Sequence, residues 1–488
     1  MTKSKAARAG IGYTIANILI RGIGFLTLPI FSRLLDTYDF GVYNVFIAYD
    51  SILFVVIGFA LHSSLKSANW EFPKQIDDYV SSISLLYIAN MVFLIVLVLI
   101  FGPFISSAIG FDSVVMACLV VHSFGTAITA LYNNRVSLQY SYKKYMVVAL
   151  ASSLGNVLLS LVLIFTVFYG QRYMGRILGA TIVLAVLGAI LVLCFWRAAR
   201  PRVNLKYWSF GLKYSLPIVA HGLSQVVLAQ FGRLMINYMV STEAAGIYGL
   251  AANLMIIVTV LTDSVSTVWT TWFYETMEGE EADKATELKM LADAELKQRS
   301  MTIQRRAGQL AQGFAIICIA LMAITPEMIW VLGGDAYMDG AYCAFGMILS
   351  GYCVFIYNMI VAGEYYKQKT NYIMIGTILA AIINIILNLW AIQAFGYIAA
   401  AYTTLVSYMF YVVFHWIISK RVLSFAVLGL RQLLLAAMVL GLCAVMFALL
   451  FDYVFARILA GVIICLVFFW RLLKNTGGLT GLKGILGK

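Results

Sequence analysis

The stretch YVSSISLLYIANMVFLIVLVLIF, residues 79–101, contains no charged side chain. A helix needs about 20 predominantly apolar residues to cross the hydrocarbon core of a bilayer, so this stretch is long enough to span a membrane. Similar stretches recur along the whole chain of 488 residues. We therefore predict an all-α integral membrane protein, with lipid as the solvent for most of its surface.

The composition supports this prediction. Hydrophobic residues make up 62% of the chain and charged residues only 11%, whereas a typical soluble domain has about 45–50% and 25%. The net charge of +12 does not indicate nucleic-acid binding, because the basic residues lie between apolar stretches rather than in one cluster with aromatic residues. The expected partner is the bilayer, and no nucleic-acid partner is expected.

Lysine and arginine placement predicts the topology, because cytoplasmic segments are enriched in both. If the N-terminus is inside, inside segments hold 28 of the 34 basic residues and outside loops hold only Arg33, Arg172, Arg176 and Arg457. We predict a multi-pass membrane protein with about 14 spans and both termini in the cytoplasm. The predicted spans lie near residues 9–34, 40–65, 79–101, 113–137, 145–169, 174–196, 209–239, 244–272, 306–333, 341–365, 371–394, 397–419, 429–451 and 453–473.

The chain has one long polar segment, residues 273–306, which this topology places inside. Its alternating charges and leucine spacing are typical of an amphipathic helix that lies along the cytoplasmic face. A solvated connector between two halves of a transporter explains the same composition, and the two interpretations stay open.

An internal repeat indicates two related bundles, as in many transporters. The loop DTYDFGVYNV (residues 36–45) resembles STEAAGIYGL (residues 241–250) without a gap. We predict an N-terminal six-helix lobe (1–200), a C-terminal six-helix lobe (201–425) that includes the linker, and two further helices with a tail (426–488). The matched positions are Thr37 with Thr242, Gly41 with Gly246, and Tyr43 with Tyr248.

Enzymatic motifs are missing from the sequence. There is no glycine-rich phosphate loop, so ATP hydrolysis is not expected. The seven cysteines form no C-x-x-C pair, which argues against a metal site or a disulfide framework. The predicted outside loops are too short to carry the catalytic residues of a membrane-embedded polymerase. We predict a transporter without a cofactor rather than an enzyme.

Two segments carry a resemblance to a known family: LPIFSRLLDTYDFGVYNVFIAY, which begins at the end of the first span, and TPEMIWVLGGDAYMDGAYCAFGMIL, which follows the ninth. The chain resembles the Wzx-type polysaccharide flippases of the multidrug/oligosaccharidyl-lipid/polysaccharide exporter superfamily. The resemblance implies two pseudo-symmetric bundles in a V-shaped arrangement like that of the multidrug and toxin exporters. It also implies transport of undecaprenyl-pyrophosphate-linked oligosaccharides across the bacterial inner membrane for surface polysaccharides, with a polymerase and glycosyltransferases as further candidate partners.

Arginine within a span is the leading candidate for contact with pyrophosphate, since a guanidinium donates two parallel hydrogen bonds to such a group. Asn17 and Arg21 fall on one face of the first span, and Arg21 lies near mid-span. The alternative for Arg21 is a structural ion pair with Asp50 of the next span. Arg233 in the seventh span is the second candidate, with snorkelling to the interface as its alternative.

Further polar residues within spans are candidates for sugar binding or ion coupling. His221 and Gln225 of the seventh span, Asn384 of the eleventh and Tyr408 of the twelfth suit a sugar, although such groups also hold membrane helices together. Proton or sodium coupling is assigned to Asp263 first and to Asp50 second, with a hydrogen-bonded structural aspartate as the alternative.

Two rival functions share the predicted fold. An ion-coupled drug or cation antiporter of the same superfamily should prefer carboxylates and aromatic residues over arginines in its cavity. A lipid II flippase should carry an arginine-rich first helix, which this chain lacks.

Overall fold

The structure, a computed structural model, describes residues 3–278 and 289–476. Within these ranges the chain forms α-helices and two short 3₁₀ helices, and it forms no β-strand. Acidic caps begin two of the helices: the side chains of Asp36 and Asp112 accept hydrogen bonds from the backbone amides of Asp39 and Val115, both at 2.7 Å. Such caps satisfy amides that have no partner in the first helical turn.

The chain divides into two compact units, Met1–Gly246 and Ile247–Lys488. The helices are α1 (Lys3–Leu34), α2 (Thr37–Gly58), α3 (Leu65–Glu71), α4 (Ile76–Ile109), α5 (Ser113–Leu138), α6 (Tyr142–Thr166), α7 (Arg172–Ala198), α8 (Leu205–Met239), α9 (Thr242–Asn253), α10 (Met255–Glu278), α11 (Lys289–Ala323), α12 (Thr325–Gly333), α13 (Gly340–Tyr366), α14 (Thr370–Phe395), α15 (Ala399–Leu423), α16 (Leu430–Leu449) and α17 (Val454–Thr476).

The described residues contain 13 candidate membrane spans, by length and hydropathy, against the 14 predicted. The difference is α8, which has 35 residues and is long enough to cross a bilayer. Its sequence carries Lys213, His221, Gln225, Gln230 and Arg233 among its apolar residues, and these lower its hydropathy below that of the other spans. The predicted all-helical, multi-span fold is confirmed.

Helix α8 belongs to the first compact unit, whose boundary falls after Gly246. The sequence placed this helix at the start of a second lobe that begins at residue 201. Within the first unit, α8 packs against α2 and α4. The predicted division into lobes at residues 200 and 425 is based on the internal repeat, whereas the two compact units are based on packing. The predicted lobes stay a prediction.

Several predicted spans are interrupted rather than continuous. The eighth span consists of α9 and α10, which are separated at Leu254. In α4 the backbone leaves helical geometry at Phe101, two residues before Pro103, because proline lacks the amide that would continue the helix. Breaks of this kind expose backbone polar groups, which membrane proteins tolerate where the groups are buried in protein or line a cavity.

The polar segment 273–306 is helical in its described parts. Helix α10 continues to Glu278, and α11 begins at Lys289 and runs without a break into the ninth span. Residues 279–288 lie outside the described residues. The C-terminal part of the segment is therefore an extension of a membrane helix, and the predicted surface helix is not a separate element there.

One helix lies at the centre of each unit's packing. In the first unit α5 contacts α2, α4 and α7, and in the second unit α13 contacts α10, α11 and α15. Small residues allow close approach: a Cβ built on Gly125 of α5 would lie 2.8 Å from the carbonyl carbon of Leu184 in α7. Such contacts are common between membrane helices, because van der Waals packing drives their association.

Candidate functional site

The polar face that the sequence predicts for α1 is exposed in the first unit. The side chains of Asn17 and Arg21 are both exposed, and the Tyr145 hydroxyl of α6 donates a hydrogen bond to the Asn17 side-chain oxygen at 2.6 Å. The ring of Tyr145 also packs edge-on against Tyr13, with centroids 5.2 Å apart. The Arg21 guanidinium lies within electrostatic range of the Tyr145 hydroxyl. The structure thus brings Asn17 and Arg21 together beside a tyrosine, on a helix long enough to span a bilayer.

Asp50 is buried between α2 and α5. Its Oδ1 atom accepts a hydrogen bond from the Ser123 hydroxyl at 2.6 Å and lies 2.8 Å from His122 Nδ1. These two residues, rather than Arg21, are the partners of the carboxylate in this structure. The sequence did not single out His122, because no local pattern links residues that lie 72 positions apart.

The three α8 candidates differ in exposure. Arg233 is buried and its Nη1 atom donates a hydrogen bond to the Gln230 side chain at 2.8 Å. Both interpretations of Arg233, contact with pyrophosphate and snorkelling to the interface, stay predictions. His221 and Gln225 are half-buried, two and one helical turns before Gln230. Pro217 lies one turn further towards the N-terminus, within the helix.

Arg176 is a buried cation that the sequence assigned to an outside loop. The structure corrects this assignment, since Arg176 is only 8% exposed. Its guanidinium donates hydrogen bonds to the side chains of Asn156 and, at 2.9 Å, Ser160. It also lies over the rings of Phe31 and Tyr43, at 3.9 and 4.5 Å from their centroids. In a loop the guanidinium would be hydrated by water; here hydrogen bonds and cation–π contacts take the place of that water.

Arg457 is a second buried cation for which the predicted outside loop is wrong. The residue is 0% exposed, its Nε atom donates to the Ala323 carbonyl at 3.0 Å, and its guanidinium pairs with Glu327. It joins α17 to α11 and α12 within the second unit. For both arginines the charge has partners inside the protein. Their positions in the sequence did not show this, and the prediction therefore placed both residues in loops.

Asn384 lies in a fully buried network that joins α14 to α15. Its side chain donates to Thr404 at 3.3 Å and accepts from Asn388 at 3.0 Å. Asn388 in turn accepts a hydrogen bond from Thr403 at 2.5 Å. In this conformation the Asn384 amide therefore holds two helices together, as polar groups in membranes often do. Its assignment to sugar binding stays a prediction.

A buried Glu364–His415 pair, with 2.8 Å between Oε1 and Nδ1, connects α13 to α15. The Tyr411 ring packs edge-on against His415 at 4.6 Å, and its hydroxyl hydrogen bonds to Thr377. The predicted sugar ligand Tyr408 lies one turn before Tyr411 and is 9% exposed. These groups are internal to the second unit.

Several polar side chains of α10 face outward from the second unit. Asp263 is exposed on α10, together with Thr259, Thr267 and Thr271. The hydroxyls of Thr267 and Thr271 donate to backbone carbonyls four residues earlier, an arrangement that lowers the cost of placing them in a membrane span. A carboxylate and several hydroxyls on one face suit a hydrated cavity better than hydrocarbon.

An apolar groove of about 430 Å³ lies in the same unit, among α13, α15 and α16. No charged residue lines it within the described part of the chain. Gly441 opens one side of the groove, since a Cβ built there meets no atom within 4 Å. The groove can therefore accept a hydrocarbon chain. Its lining includes Leu349, Ile356, Leu405, Met409, Val413, Leu434 and Gly441.

The family is decided by a sequence match that covers more than half of the chain. A family model described as polysaccharide biosynthesis protein matches residues 7–277. The chain belongs to that family. It is also 20% identical over 400 residues to a protein of the Lsg locus of Haemophilus influenzae, an alignment that covers 78% of this chain and 90% of the relative.

Solved structures share the fold of this family member. The lipid II flippase MurJ, in an inward closed conformation, matches with a TM-score of 0.72 and 14% identity, covering 95% of this chain and 99% of that one. An inward-facing multidrug resistance MATE family transporter of the MOP superfamily matches with a TM-score of 0.58 and 13% identity, covering 84% and 94%. The predicted membership of the exporter superfamily is confirmed, and its fold is that of transporters and flippases.

Proposed function

We propose that this protein moves undecaprenyl-pyrophosphate-linked oligosaccharides across the bacterial inner membrane by alternating access, for the synthesis of a surface polysaccharide. The observation that carries the proposal is the coexistence, in the second unit, of the apolar groove and the polar face of α10. A lipid-linked sugar needs both surfaces, because its tail is hydrocarbon while its sugar and pyrophosphate are strongly hydrated.

The groove is suited to part of the polyprenyl tail. Its walls are mostly leucine, isoleucine, valine and methionine side chains, with Tyr352 and Trp416 among the others, and unbranched methionine adapts to a chain of variable shape. The exposed Arg21 and Asn17 of α1 are suited to the pyrophosphate and the first sugar, since charge-assisted hydrogen bonds are about twice as strong as neutral ones. A polymerase that uses the delivered units and glycosyltransferases that build them are the expected partners.

Export of polymer in a strain that lacks its own oligosaccharide flippase tests the proposal. The normal chain should restore export. Gly441→Phe should lower it, because the new side chain occupies groove volume that the lipid tail would fill, while its Cβ meets no atom within 4 Å. The matched control is Leu442→Phe, since Leu442 is 63% exposed and lies outside the groove. Equal export by both variants would argue against the groove.

Lipid II transport is the second candidate function. It is favoured by the fold similarity to MurJ over 95% of this chain, whereas the family description favours a polysaccharide precursor. Growth of cells depleted of their lipid II flippase separates the two. Restored growth by this chain, without restored polymer export, would replace the proposed substrate with lipid II.

A further inference from the structure

A cavity of about 470 Å³ lies in the first unit. It is lined mainly by the N-terminal parts of α2, α5 and α7, the C-terminal parts of α4 and α8, and Thr242 at the start of α9, and all of its walls belong to Met1–Gly246. Its volume falls within the range of about 300–1,000 Å³ that is typical of small-molecule sites. The lysine and arginine distribution places these helix ends at the outer face of the membrane.

Four tyrosines line this cavity from three helices. Tyr38 and Tyr49 come from α2, Tyr173 from α7 and Tyr238 from α8. Tyrosines at a membrane interface commonly point towards lipid headgroups, but these four converge on one concave space. A tyrosine offers an apolar ring and a hydroxyl that both donates and accepts hydrogen bonds. A sugar offers the complementary surface, because each ring has apolar C–H faces and a rim of hydroxyls.

Two polar side chains complete the lining. Asp112 is held in place as the N-cap of α5, with 2.7 Å between its Oδ1 atom and the Val115 amide. Asn237 accepts a hydrogen bond from the Thr242 hydroxyl at 2.8 Å. Carboxylate and amide groups with fixed positions give orientation to a ligand in an otherwise aromatic site.

The charge of the lining selects between ligand classes. Among the described residues that line the cavity there is one carboxylate and no lysine, arginine or histidine. A phosphate-bearing lipid headgroup would face Asp112 without a cation to balance it, whereas a neutral sugar can donate hydroxyl hydrogen bonds to that carboxylate. The chemistry therefore favours carbohydrate over phosphate.

We propose that this cavity is a carbohydrate-binding subsite on the outer side of the membrane, which holds the glycan after it has crossed and before it leaves the protein. The proposal rests on the function proposed above and extends it to a second sugar-binding position.

Saturation-transfer NMR with the full chain in nanodiscs tests the subsite. The probe is the glycan released by mild acid from the lipid-linked oligosaccharide pool of the native cells. Tyr238→Ala and Tyr38→Ala should each weaken binding about tenfold, the effect of losing one aromatic contact. Tyr238 is 83% exposed and Tyr38 is 47% exposed, so the changes remove no core packing. The control is Tyr169→Ala, 70% exposed in a nearby loop and outside the cavity.

Equal binding by the normal chain and Tyr238→Ala, or no saturable binding at all, would overturn the subsite. Competition by glycerophosphoethanolamine at the same concentration as the glycan would reassign the cavity to a lipid headgroup. Polymer export keeps this outcome separate from the proposed function. If the normal chain restores export but does not bind the released glycan, only the subsite fails; if it restores no export, the proposed function fails.

Discussion

Gly41 of α2 lies against the backbone of Thr242 at the start of α9. A Cβ built on Gly41 would lie 2.8 Å from the Thr242 carbonyl carbon, and one built on Gly246 would lie 3.1 Å from the Gly41 Cα atom and would also overlap the Thr37 carbonyl. Thr37 and Gly41 match Thr242 and Gly246 in the internal repeat, so equivalent residues contact one another reciprocally.

Gly41→Ala should destabilise the protein, because the new methyl group meets backbone rather than a movable side chain. We expect a loss of about 1–3 kcal/mol, measured by thermal unfolding in detergent. The control is Gly24→Ala in α1, where a Cβ meets no atom within 4 Å. That change should be neutral, or stabilising by up to about 1 kcal/mol, since alanine is the better helix former. Equal behaviour of both variants would contradict a close helix crossing at Gly41.

At the Arg176 site, removing the hydrogen-bond acceptor and removing the arginine are expected to cost different amounts of stability. Asn156→Leu removes an acceptor from a buried guanidinium and should cost about 1.5–3 kcal/mol of stability. Arg176→Met keeps much of the volume and removes the charge, so its cost should be smaller. Unfolding temperatures of both variants, compared with Asn134→Leu on α5, check the order. A greater loss for Arg176→Met would show that the cation–π contacts with Phe31 and Tyr43 outweigh the buried charge.

Arg21 is expected to contact the pyrophosphate. Arg21→Ala should reduce substrate affinity by about ten- to a hundredfold, the equivalent of roughly 1.5–3 kcal/mol, and Arg21→Lys should retain part of the function because it keeps the charge without the planar fork. Polymer export at equal protein level is the measurement.

Asp50→Ala, added to Arg21→Ala, separates this role from a structural ion pair. Because the Asp50 carboxylate is held by His122 and Ser123, the double variant should not recover export. Recovery would mean that the two charges neutralise each other during transport, and the contact with pyrophosphate would then be excluded.

Asp263 is the proposed coupling group, and its exposed position on α10 leaves it accessible to an ion. A bound proton or sodium ion biases transport only if it binds one state better than the other. Asp263→Asn should lower gradient-driven export by about 5- to 150-fold, the range of typical coupling energies. Asp78→Asn, an exposed carboxylate at the start of α4, serves as the control. Unchanged sensitivity to collapse of the proton and sodium gradients in Asp263→Asn would assign coupling to another residue.

The fold was largely predictable because the local composition of the sequence identifies membrane spans. Apolar stretches of sufficient length gave thirteen of the predicted spans, and the repeat at Gly41 and Gly246 anticipated equivalent roles for two segments that were predicted as loops and form the starts of α2 and α9. Asn17 and Arg21 lie one turn apart on α1, as their spacing indicated, whereas the exposure of Asp263 on α10 could not be predicted from its spacing. Local composition also could not reveal the break at Leu254 or the place of α8 in the first compact unit.

The sequence by itself determined that this chain is a multi-span helical protein of the exporter superfamily. Hydropathy, charge placement and motif resemblance are each properties of residues that are close together in the sequence. Only the tertiary structure decided which polar groups are satisfied inside the protein. It paired Asp50 with His122, enclosed Arg176 between Asn156 and two aromatic rings, and placed Asn384 in a helix–helix network. In a membrane a buried polar group must find its partner within the protein, and that partner usually lies on another helix, far away in the sequence.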